Sequence, residues 1–402
     1  MPTKLRLYDT MTRRKETFRS IVPGEATMFV CGPTIQDFMH VGHARTYLFY
    51  DMLARYLAYI GYNVRFLLNI TDVDEGIVNR AKAEGIRLSS FTSKFRRSFL
   101  TDMRGLGIRS VSAYESVSKF VPVVIEQIKG LLSRGYAYPA DGNIYFSIDA
   151  FPDFGKLSHL TREQIMMRPL EISRVKKNQA DFSLWRATSS VEQQWESPWG
   201  RGTPGWHIQD TAVSSKHFGA QYDIHGGARE LIYPHHEAEI AQMEALTGRK
   251  PFVRFWVHTG LLTQRWEKMS KSKGNVLRIK DLLKDYDPNA LRLYLLRMHH
   301  TVDAEFDESE VRKWEATYWR LRDLAKATAD RSAGGHQKLH PSSARFFAAM
   351  DDDMDGRSAI DFLLKVARKG ARERNGREAS RILQLLLTGS SILGVTLFDA
   401  EN

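Results

Sequence analysis

The sequence predicts an α/β fold whose parallel sheet is interrupted by an insertion and followed by a bundle of helices. A strand-like run at 26–30 leads into a helical pattern from about 44 to 60, and a buried strand follows at 63–70. This order is typical of one half of a parallel nucleotide-binding sheet. Strand and helix alternate again at 206–257, and the chain from about 288 onward has a helical pattern. We therefore expect two halves of one Rossmann-like sheet.

The remaining elements follow in chain order. They are a hairpin at 4–18, helices at 74–86, 90–105 and 119–135, a mixed stretch rich in Pro, Asp and Trp at 141–199, a link at 330–342 and two or three helices at 343–398. Clusters of Gly, Ser and Pro mark the link, because these residues interrupt helical periodicity. The predicted units are the first half of the sheet domain at 1–110, a connective insertion at 111–200, the second half at 201–285 and a helical bundle at 286–402.

Composition predicts a protein with a large core and no membrane segment. Of 402 residues, 43% are hydrophobic and 26% are charged, which are ordinary values for a soluble protein of two or three domains. No apolar run approaches the ~18 residues that a membrane helix needs, and the N-terminus has no signal-peptide pattern. The single cysteine excludes an intramolecular disulfide and fits a cytoplasmic protein. A net charge of +11 favours a polyanionic partner, although nucleotide binding or a basic host proteome also explains it.

The segment HVGH at 40–43 lies where the first strand leads into its helix. A helix N-terminus at such a junction binds anions, because free backbone N–H groups and the helix dipole point at them. Gly42 lets a flat adenine approach the backbone closely. His40 and His43 can donate hydrogen bonds to phosphate oxygens whose charge grows during reaction. Alone, the segment is most often a plain strand–helix junction.

The segment KMSKS at 268–272 lies in a polar stretch that ends with Gly274. Lys268 and Lys271 would supply two mobile cations for a leaving pyrophosphate. The glycine would let the loop flex around that event. A Lys/Ser loop alone is usually just solvated. Together with HVGH, in this order, it predicts a site that activates a carboxylate with ATP.

The pair resembles the signature of class I aminoacyl-tRNA synthetases. Further segments resemble the cysteinyl-tRNA synthetase family: FVCGPT at 29–34, NITDVD at 69–74, GWHI at 205–208, DIHGG at 223–227 and PHHE at 234–237. The similarity extends from about Leu5 to about Leu397. It implies activation of L-cysteine by ATP with Mg²⁺ and transfer to the 3′ end of tRNA(Cys). The ATP-binding residues that it implies are His40, Gly42, His43, Lys268, Met269 and Lys271.

The implied substrate requires a way to reject serine, which differs from cysteine by one atom. Hydrophobic fit discriminates too weakly, whereas zinc binds a thiolate far better than a hydroxyl. The family holds zinc with two cysteines, a histidine and a glutamate. In this sequence Cys31 matches the first cysteine, His235 the histidine and Glu239 the glutamate. His235 and Glu239 would share one face of a helix. Asp210 stands in place of the second cysteine, and a carboxylate can also bind zinc.

We therefore expect an atypical Cys/Asp/His/Glu zinc site. The alternative is that Cys31 is a plain buried residue and that the others make ordinary polar contacts.

The resemblance also implies a set of substrate-binding residues. They are Cys31, Gly32, Thr34, Thr71, Trp206, His225 and Glu230. Trp206 would pack beside the substrate, and His225 would line the cavity near the thiol. Glu230 stands where the family has an aspartate near the substrate amino group. Without the resemblance, a core or surface role would be the ordinary interpretation of each.

Family members usually continue past the bundle into a small domain that reads the anticodon, and this chain ends at Asn402. The expectation is a compact, monomeric form of the enzyme. One alternative is a relative that joins cysteine to a small-molecule amine, as the mycothiol-pathway cysteine ligase does. Another is a non-catalytic paralogue, against which the intact histidines and lysines argue. The basic stretch at 368–381 fits either tRNA contact or a solvated helix face.

Overall fold

The computed structural model describes residues 4–169, 172–188, 192–264, 267–268, 276–334 and 338–398. The strands are β1 (Arg6–Asp9), β2 (Arg14–Thr17), β3 (Glu25–Val30), β4 (Asn63–Ile70), β5 (Ala113–Ser116), β6 (Ala137–Ala140), β7 (Asn143–Phe146), β8 (Phe182–Ala187), β9 (Gly202–Pro204), β10 (Tyr222–Ala228), β11 (Val253–Thr259), β12 (Leu262–Gln264), β13 (Glu267–Lys268) and β14 (Ala304–Glu305). The helices are α1 (Val41–Tyr59), α2 (Glu75–Ala83), α3 (Leu88–Gly105), α4 (Val121–Ser133), α5 (Arg162–Met166), α6 (Trp206–Phe218), α7 (Glu237–Thr247), α8 (Ile279–Asp285), α9 (Pro288–Leu296), α10 (Glu308–Ala329), α11 (Ser343–Asp351), α12 (Gly356–Gly370) and α13 (Gly376–Leu393).

Five parallel strands form the predicted sheet, in the order β11-β10-β3-β4-β5. Its central strands are apolar on both faces, as expected where helices cover a parallel sheet; Val30 pairs with Leu68, and both are fully buried. Helix α1 connects β3 to β4, and α7 connects β10 to β11. The two halves of the sheet therefore meet where β3 pairs with β10, and the α/β prediction is confirmed.

The hydrophobic core lies in two clusters, one on each face of this sheet. One cluster contains α1, α3 and the apolar faces of the C-terminal helices. The other contains α4, α6 and α7 together with the inner side of a second, smaller sheet. Because each face has its own core, the sheet is covered on both sides and only its strand ends are open to a ligand.

The insertion forms that smaller sheet, which is antiparallel and has the order β6-β7-β8-β9. One strand of the predicted insertion range belongs elsewhere, because β5 pairs in parallel with β4 at the edge of the main sheet. Its four residues, AYES, lack the apolar run that would predict a sheet strand, and the pairing depends on where β4 already lies. The chain therefore leaves the main sheet after residue 116 rather than at 110.

The C-terminal helices pack into a bundle, as the sequence predicts. Helix α10 packs against α9, α12 and α13, and α13 also packs against α1 of the sheet domain. A buried ion pair between Asp51 of α1 and Arg292 of α9 crosses this boundary. None of the helices in the described ranges is both long and apolar enough to span a membrane.

Candidate active site

A cleft of about 450 Å³ opens at the carboxyl ends of β3 and β10, where the two halves of the sheet meet. The strand order of the sheet reverses at this point, and the connections after the two strands run to opposite sides. Open parallel sheets usually bind their ligands in the crevice that this leaves. The predicted site residues that line the cleft are Cys31, Gly32, Thr34, His40, His43, Trp206 and Glu230. Thr71 and His225 are buried behind the lining, so they reach the cleft only through other residues.

The HVGH segment forms the N-terminus of α1, which begins at Val41, slightly earlier than predicted. Nδ1 of His40 accepts a hydrogen bond from the amide of Gly42 at 3.1 Å, and the two histidine rings stack with their centroids 3.8 Å apart. Burial lowers the pKa of His43 well below its usual value, and His40 lowers it further. The imidazole of His43 is therefore neutral, with one nitrogen able to donate to a ligand.

The segment that follows the lysine loop lies directly beside HVGH. The amide of Val41 donates to Leu277 at 2.9 Å, and the amide of Ile279 donates to Met39 at 2.9 Å. On the other side, Arg45 of α1 donates to the carbonyls of Gly260 and Leu261, just before β12.

Of the predicted loop residues, Lys268 ends strand β13, while Met269 and Lys271 lie outside the described residues. Hydrogen bonds from α1 and from the residues just before it therefore hold the segments on both sides of the loop.

Gly32 allows the chain after β3 to pass close to β4. A Cβ at this position would lie 1.6 Å from the backbone oxygen of Asn69, so no side chain fits. The Gly32 amide donates to Oδ1 of Asn69 at 2.6 Å, and Nδ2 of Asn69 donates to Oδ1 of Asp210 at 2.7 Å. The asparagine side chain therefore links the floor of the cleft to the aspartate of the predicted metal site.

Four predicted metal ligands come together behind this floor, and we call them the quartet: Cys31, Asp210, His235 and Glu239. Their ligand atoms lie within 4.8 Å of one another. Nε2 of His235 is 3.1 Å from Oδ2 of Asp210 and 3.3 Å from Oε1 of Glu239. His235 lies in a short π-helix, Ile232–His236, that leads directly into α7 at Glu237. The two side chains, four residues apart, therefore meet as predicted.

The quartet brings three acidic side chains, Cys31, Asp210 and Glu239, together in a buried place. Burial raises the pKa of Glu239, and so does Asp210. Burial also raises the pKa of the Cys31 thiol, with further contributions from Asp210 and Glu239. Both carboxylate oxygens of Glu239 are buried and have no hydrogen bond within the described part of the chain. Such groups are costly unless a cation pairs with them, so these residues fit a metal ion.

Sequence reasoning missed a second set of possible ligands around the same thiol. Cys31 and Glu239 also lie within 4.8 Å of His225 and His236. Nε2 of His225 is 3.4 Å from Sγ of Cys31, and Nε2 of His236 is 3.2 Å from it. His236 follows His235 in the PHHE segment, and that adjacency is the sequence signal that would have found it. The thiol is therefore surrounded by imidazole nitrogens as well as carboxylates.

Trp206 forms the outer wall of this region. Its ring stacks on His235 with centroids 4.4 Å apart and an interplanar angle of 22°. It is 40% exposed, which is unusual for so large an apolar side chain and leaves one face open to the cleft. Glu230 also lines the cleft, from the short helical turn Arg229–Leu231 after β10.

Comparisons with known proteins agree with this geometry. The family model described as the class I (C) tRNA synthetase catalytic domain matches residues 17–316. A protein named cysteine–tRNA ligase from Sulfurihydrogenibium sp. (strain YO3AOP1) is 40% identical over 375 residues, which cover 91% of this chain and 77% of that protein. Another of the same name, from Thermoplasma volcanium, is 37% identical over 395 residues, covering 97% and 87%.

Solved structures share the fold at low sequence identity. Mycobacterium tuberculosis methionyl-tRNA synthetase in complex with methionyl-adenylate has a TM-score of 0.67 at 16% identity and covers 92% of this chain and 89% of its own. The LeuRS–tRNA–LeuAMS complex of Agrobacterium radiobacter K84 has a TM-score of 0.68 at 12% identity, with coverage of 94% and 85%.

Proposed function

Because this chain belongs to the family of class I (C) tRNA synthetase catalytic domains, we propose that it activates L-cysteine with ATP and transfers it to the 3′ end of tRNA(Cys). The observation that carries the proposal is the buried quartet directly behind a cleft whose other wall is the N-terminus of α1. The relatives named cysteine–tRNA ligase align over nine-tenths of this chain. Nothing observed favours a small-molecule amine as the acceptor.

The first chemical step is attack of the cysteine carboxylate on the α-phosphorus of ATP, with pyrophosphate as the leaving group. Gly42 and the α1 N-terminus would receive the nucleotide, with Mg²⁺ on its phosphates. His40 and His43 would donate hydrogen bonds to the phosphate oxygens as their charge grows. Lys268 and Lys271, with Met269 beside them, would close over the pyrophosphate from the loop whose flanks border α1. In the second step a ribose hydroxyl of tRNA attacks the adenylate carbonyl.

The quartet would hold a zinc ion, and zinc would supply preference for a thiolate over a hydroxyl. Both oxygens of Glu239 lack a hydrogen bond within the described part of the chain, and Cys31 has acidic neighbours; these two features support the assignment. Asp210 makes the donor set harder than one with two thiolates, and Asn69 orients its carboxylate by a hydrogen bond. Hydrogen-bond partners of this kind fix the direction of a ligand.

The remaining pocket residues would orient cysteine. Trp206 offers an apolar wall, and Glu230 offers a carboxylate for the substrate amino group. Thr34 and Thr71 pair in a backbone bridge that shapes the floor between β3 and β4. His225 lies against the Cys31 thiol, behind the cleft lining, and would act on the substrate sulfur through Cys31. Because Gly32 has no side chain, the backbone can pass close to Asn69 and form this floor.

The tRNA would lie across the helical bundle that we assign to residues 286–402. Basic side chains at the α12–α13 corner are exposed, and they are Arg368, Lys369, Arg372, Arg374, Arg377 and Arg381. Ile382, Leu385 and Leu386 of α13 point the other way, into the core. Glu378 pairs with Lys369 and Arg381 at 3.7 Å each, but basic residues outnumber acidic ones at this corner. An excess of positive charge attracts a phosphate backbone and makes binding dependent on salt.

The decisive test of function is aminoacylation of total tRNA with labelled cysteine, beside ATP–pyrophosphate exchange. We expect both activities with cysteine and neither with serine. Exchange with cysteine but no tRNA charging would contradict the tRNA acceptor and support a small-molecule acceptor. Absence of exchange with every amino acid would contradict the enzyme assignment and support a non-catalytic paralogue.

The metal assignment is tested by elemental analysis of purified variants. We expect Cys31→Ser and Asp210→Asn to lose zinc relative to the unaltered chain. Asp102→Asn is a matched control, because Asp102 is 3% exposed against 2% for Asp210 and lies outside the quartet. Equal zinc in the unaltered chain, Cys31→Ser and Asp210→Asn would contradict the proposed site.

A further inference from the structure

Two histidines and an aspartate form a separate cluster where two segments of the chain meet. His299 and His300 follow α9, and Asp353 lies in the corner between α11 and α12. Nε2 of His300 is 3.0 Å from Oδ1 of Asp353, and Nε2 of His299 is 3.5 Å from Oδ2. One ligand atom from each residue lies within 4.8 Å of the other two. None of the three belongs to the cleft or to the quartet.

The spacing of these atoms suits a metal ion. Zinc binds nitrogen and oxygen at about 2.0–2.2 Å, so two ligands of a tetrahedral ion lie about 3.4 Å apart. The separations of 3.0 Å, from His300 to Oδ1 of Asp353, and 3.5 Å, from His299 to Oδ2, lie on either side of that value. The Asp353 side chain is 1% exposed, and its Oδ2 is buried with no hydrogen bond within the described ranges. A buried carboxylate oxygen in this state favours a cation beside it.

The outer nitrogens of the two rings have acceptors of their own. Nδ1 of His300 is 3.4 Å from the carbonyl of His258, and Nδ1 of His299 is 2.9 Å from the hydroxyl of Thr301. A histidine whose Nδ1–H donates to such a partner presents Nε2 as a metal ligand, which is the usual second contact of a metal-binding histidine. The Thr301 amide also approaches Nδ1 of His299, at 3.4 Å, and favours the opposite tautomer when no metal binds.

We propose that His299, His300 and Asp353 bind a divalent transition-metal ion of the zinc type, with water completing its coordination. Imidazole and carboxylate donors without a thiolate suit Zn²⁺ and Co²⁺. The His299 side chain is 29% exposed, which gives an ion access from solvent, while the other two side chains are each 1% exposed.

A metal at this cluster would join three parts of the protein. Asp353 accepts a hydrogen bond from the Tyr8 amide of the N-terminal hairpin at 2.7 Å. The carbonyl of His300 accepts from Gly260 at 2.6 Å, just before the strands that lead into the lysine loop. Asp353 itself belongs to the helical bundle. The ion would therefore couple the bundle to the segment that supports the loop, and this inference does not depend on the proposed function.

The test is a Co²⁺ titration of the full-length, metal-free chain, with bound metal counted by elemental analysis. We expect His299→Gln to remove one ion per chain, or to weaken its binding by at least about tenfold, as loss of a metal-site contact does. The absorption of Co²⁺ bound to a thiolate, which reports on Cys31, should stay unchanged. Asp353→Asn should give the same result.

The matched control is His217→Gln. His217 is 25% exposed and pairs with Glu115 at 3.2 Å, and no group of three ligands contains it among the residues that the structure describes. It should bind as much Co²⁺ as the unaltered chain. Equal Co²⁺ stoichiometry and affinity in the unaltered chain and His299→Gln would overturn the proposal and leave the cluster as a buried ion pair. Because His299→Gln alters a partly exposed side chain, the result does not depend on whether Asp353→Asn folds.

Discussion

Asp51→Asn should destabilise the protein strongly, because the Asp51 carboxylate accepts several hydrogen bonds where the sheet domain meets the helical bundle. Its side chain is fully buried and pairs with Arg292, which is 1% exposed. It also accepts hydrogen bonds from Arg55 at 2.8 Å and from the amides of Arg109 and Ser110 at 3.1 and 3.0 Å. The substitution keeps the shape of the side chain but leaves a guanidinium charge in the core without a counter-charge.

The expected cost is about 3–5 kcal/mol of unfolding free energy, the range for breaking a buried pair by removal of one partner. The matched control is Asp352→Asn, because Asp352 also pairs with two cations, Arg6 and Lys15, but is 48% exposed. Screening by solvent limits that loss to about 0–1 kcal/mol. Urea unfolding followed by tryptophan fluorescence and circular dichroism compares the two variants. Losses that agree within about 1 kcal/mol would refute this account of the junction.

The same pair predicts the direction of a pH effect. Burial opposes ionisation of Asp51, but Arg292 and Arg55 outweigh it and hold its pKa below the usual value. The stabilisation is therefore complete above the unfolded-state pKa of about 3.9 and is lost as pH falls through the lower folded-state pKa. The unaltered chain should lose more stability than Asp51→Asn across that acid window. Parallel curves for the two proteins would contradict the assignment.

Three further predictions concern the active site. Gly32→Ala should abolish ATP–pyrophosphate exchange, because its Cβ would lie 1.6 Å from the Asn69 oxygen; exchange at the unaltered rate would show that the floor can move. His43→Asn should lower the exchange rate by about 10²-fold, the usual loss for one donor to a developing oxyanion. Burial and His40 hold the pKa of His43 well below its usual value, so the exchange rate should not change between pH 6 and 8 through ionisation of this residue. A change of rate with pH in the unaltered chain that is absent in His43→Asn would contradict this. Asp210→Cys should slow zinc loss to a chelator, because a thiolate replaces a harder ligand, and faster loss would count against Asp210 as a ligand.

Much of the fold was predictable because its signals are local. Apolar runs with clear periodicity predicted the main strands, α1 and the C-terminal helices, and their positions are confirmed. Strand β5 escaped prediction because its four residues carry no apolar pattern, and only pairing with β4 makes them a strand.

The candidate site was predictable in part. Resemblance to a known family predicted the quartet, and its four ligand atoms do meet behind the cleft. His236, which lies 3.2 Å from the Cys31 thiol, was not predicted, although its place beside His235 in the PHHE segment was a signal for it. The cluster of His299, His300 and Asp353 has no local signal, since the aspartate reaches the histidines only through the packing of the bundle.

The sequence by itself determined the order of strands and helices, the two ATP-site segments and the kinds of side chain available for chemistry. Those features depend on periodicity and on residue identity, which are properties of the chain. Only the tertiary structure decided which groups share a buried space and which charges lack a partner. Burial turns Glu239 into a carboxylate without a hydrogen bond and makes His43 a neutral donor. These properties arise because removing a charge from water changes its free energy, and the fold alone decides which charges are removed.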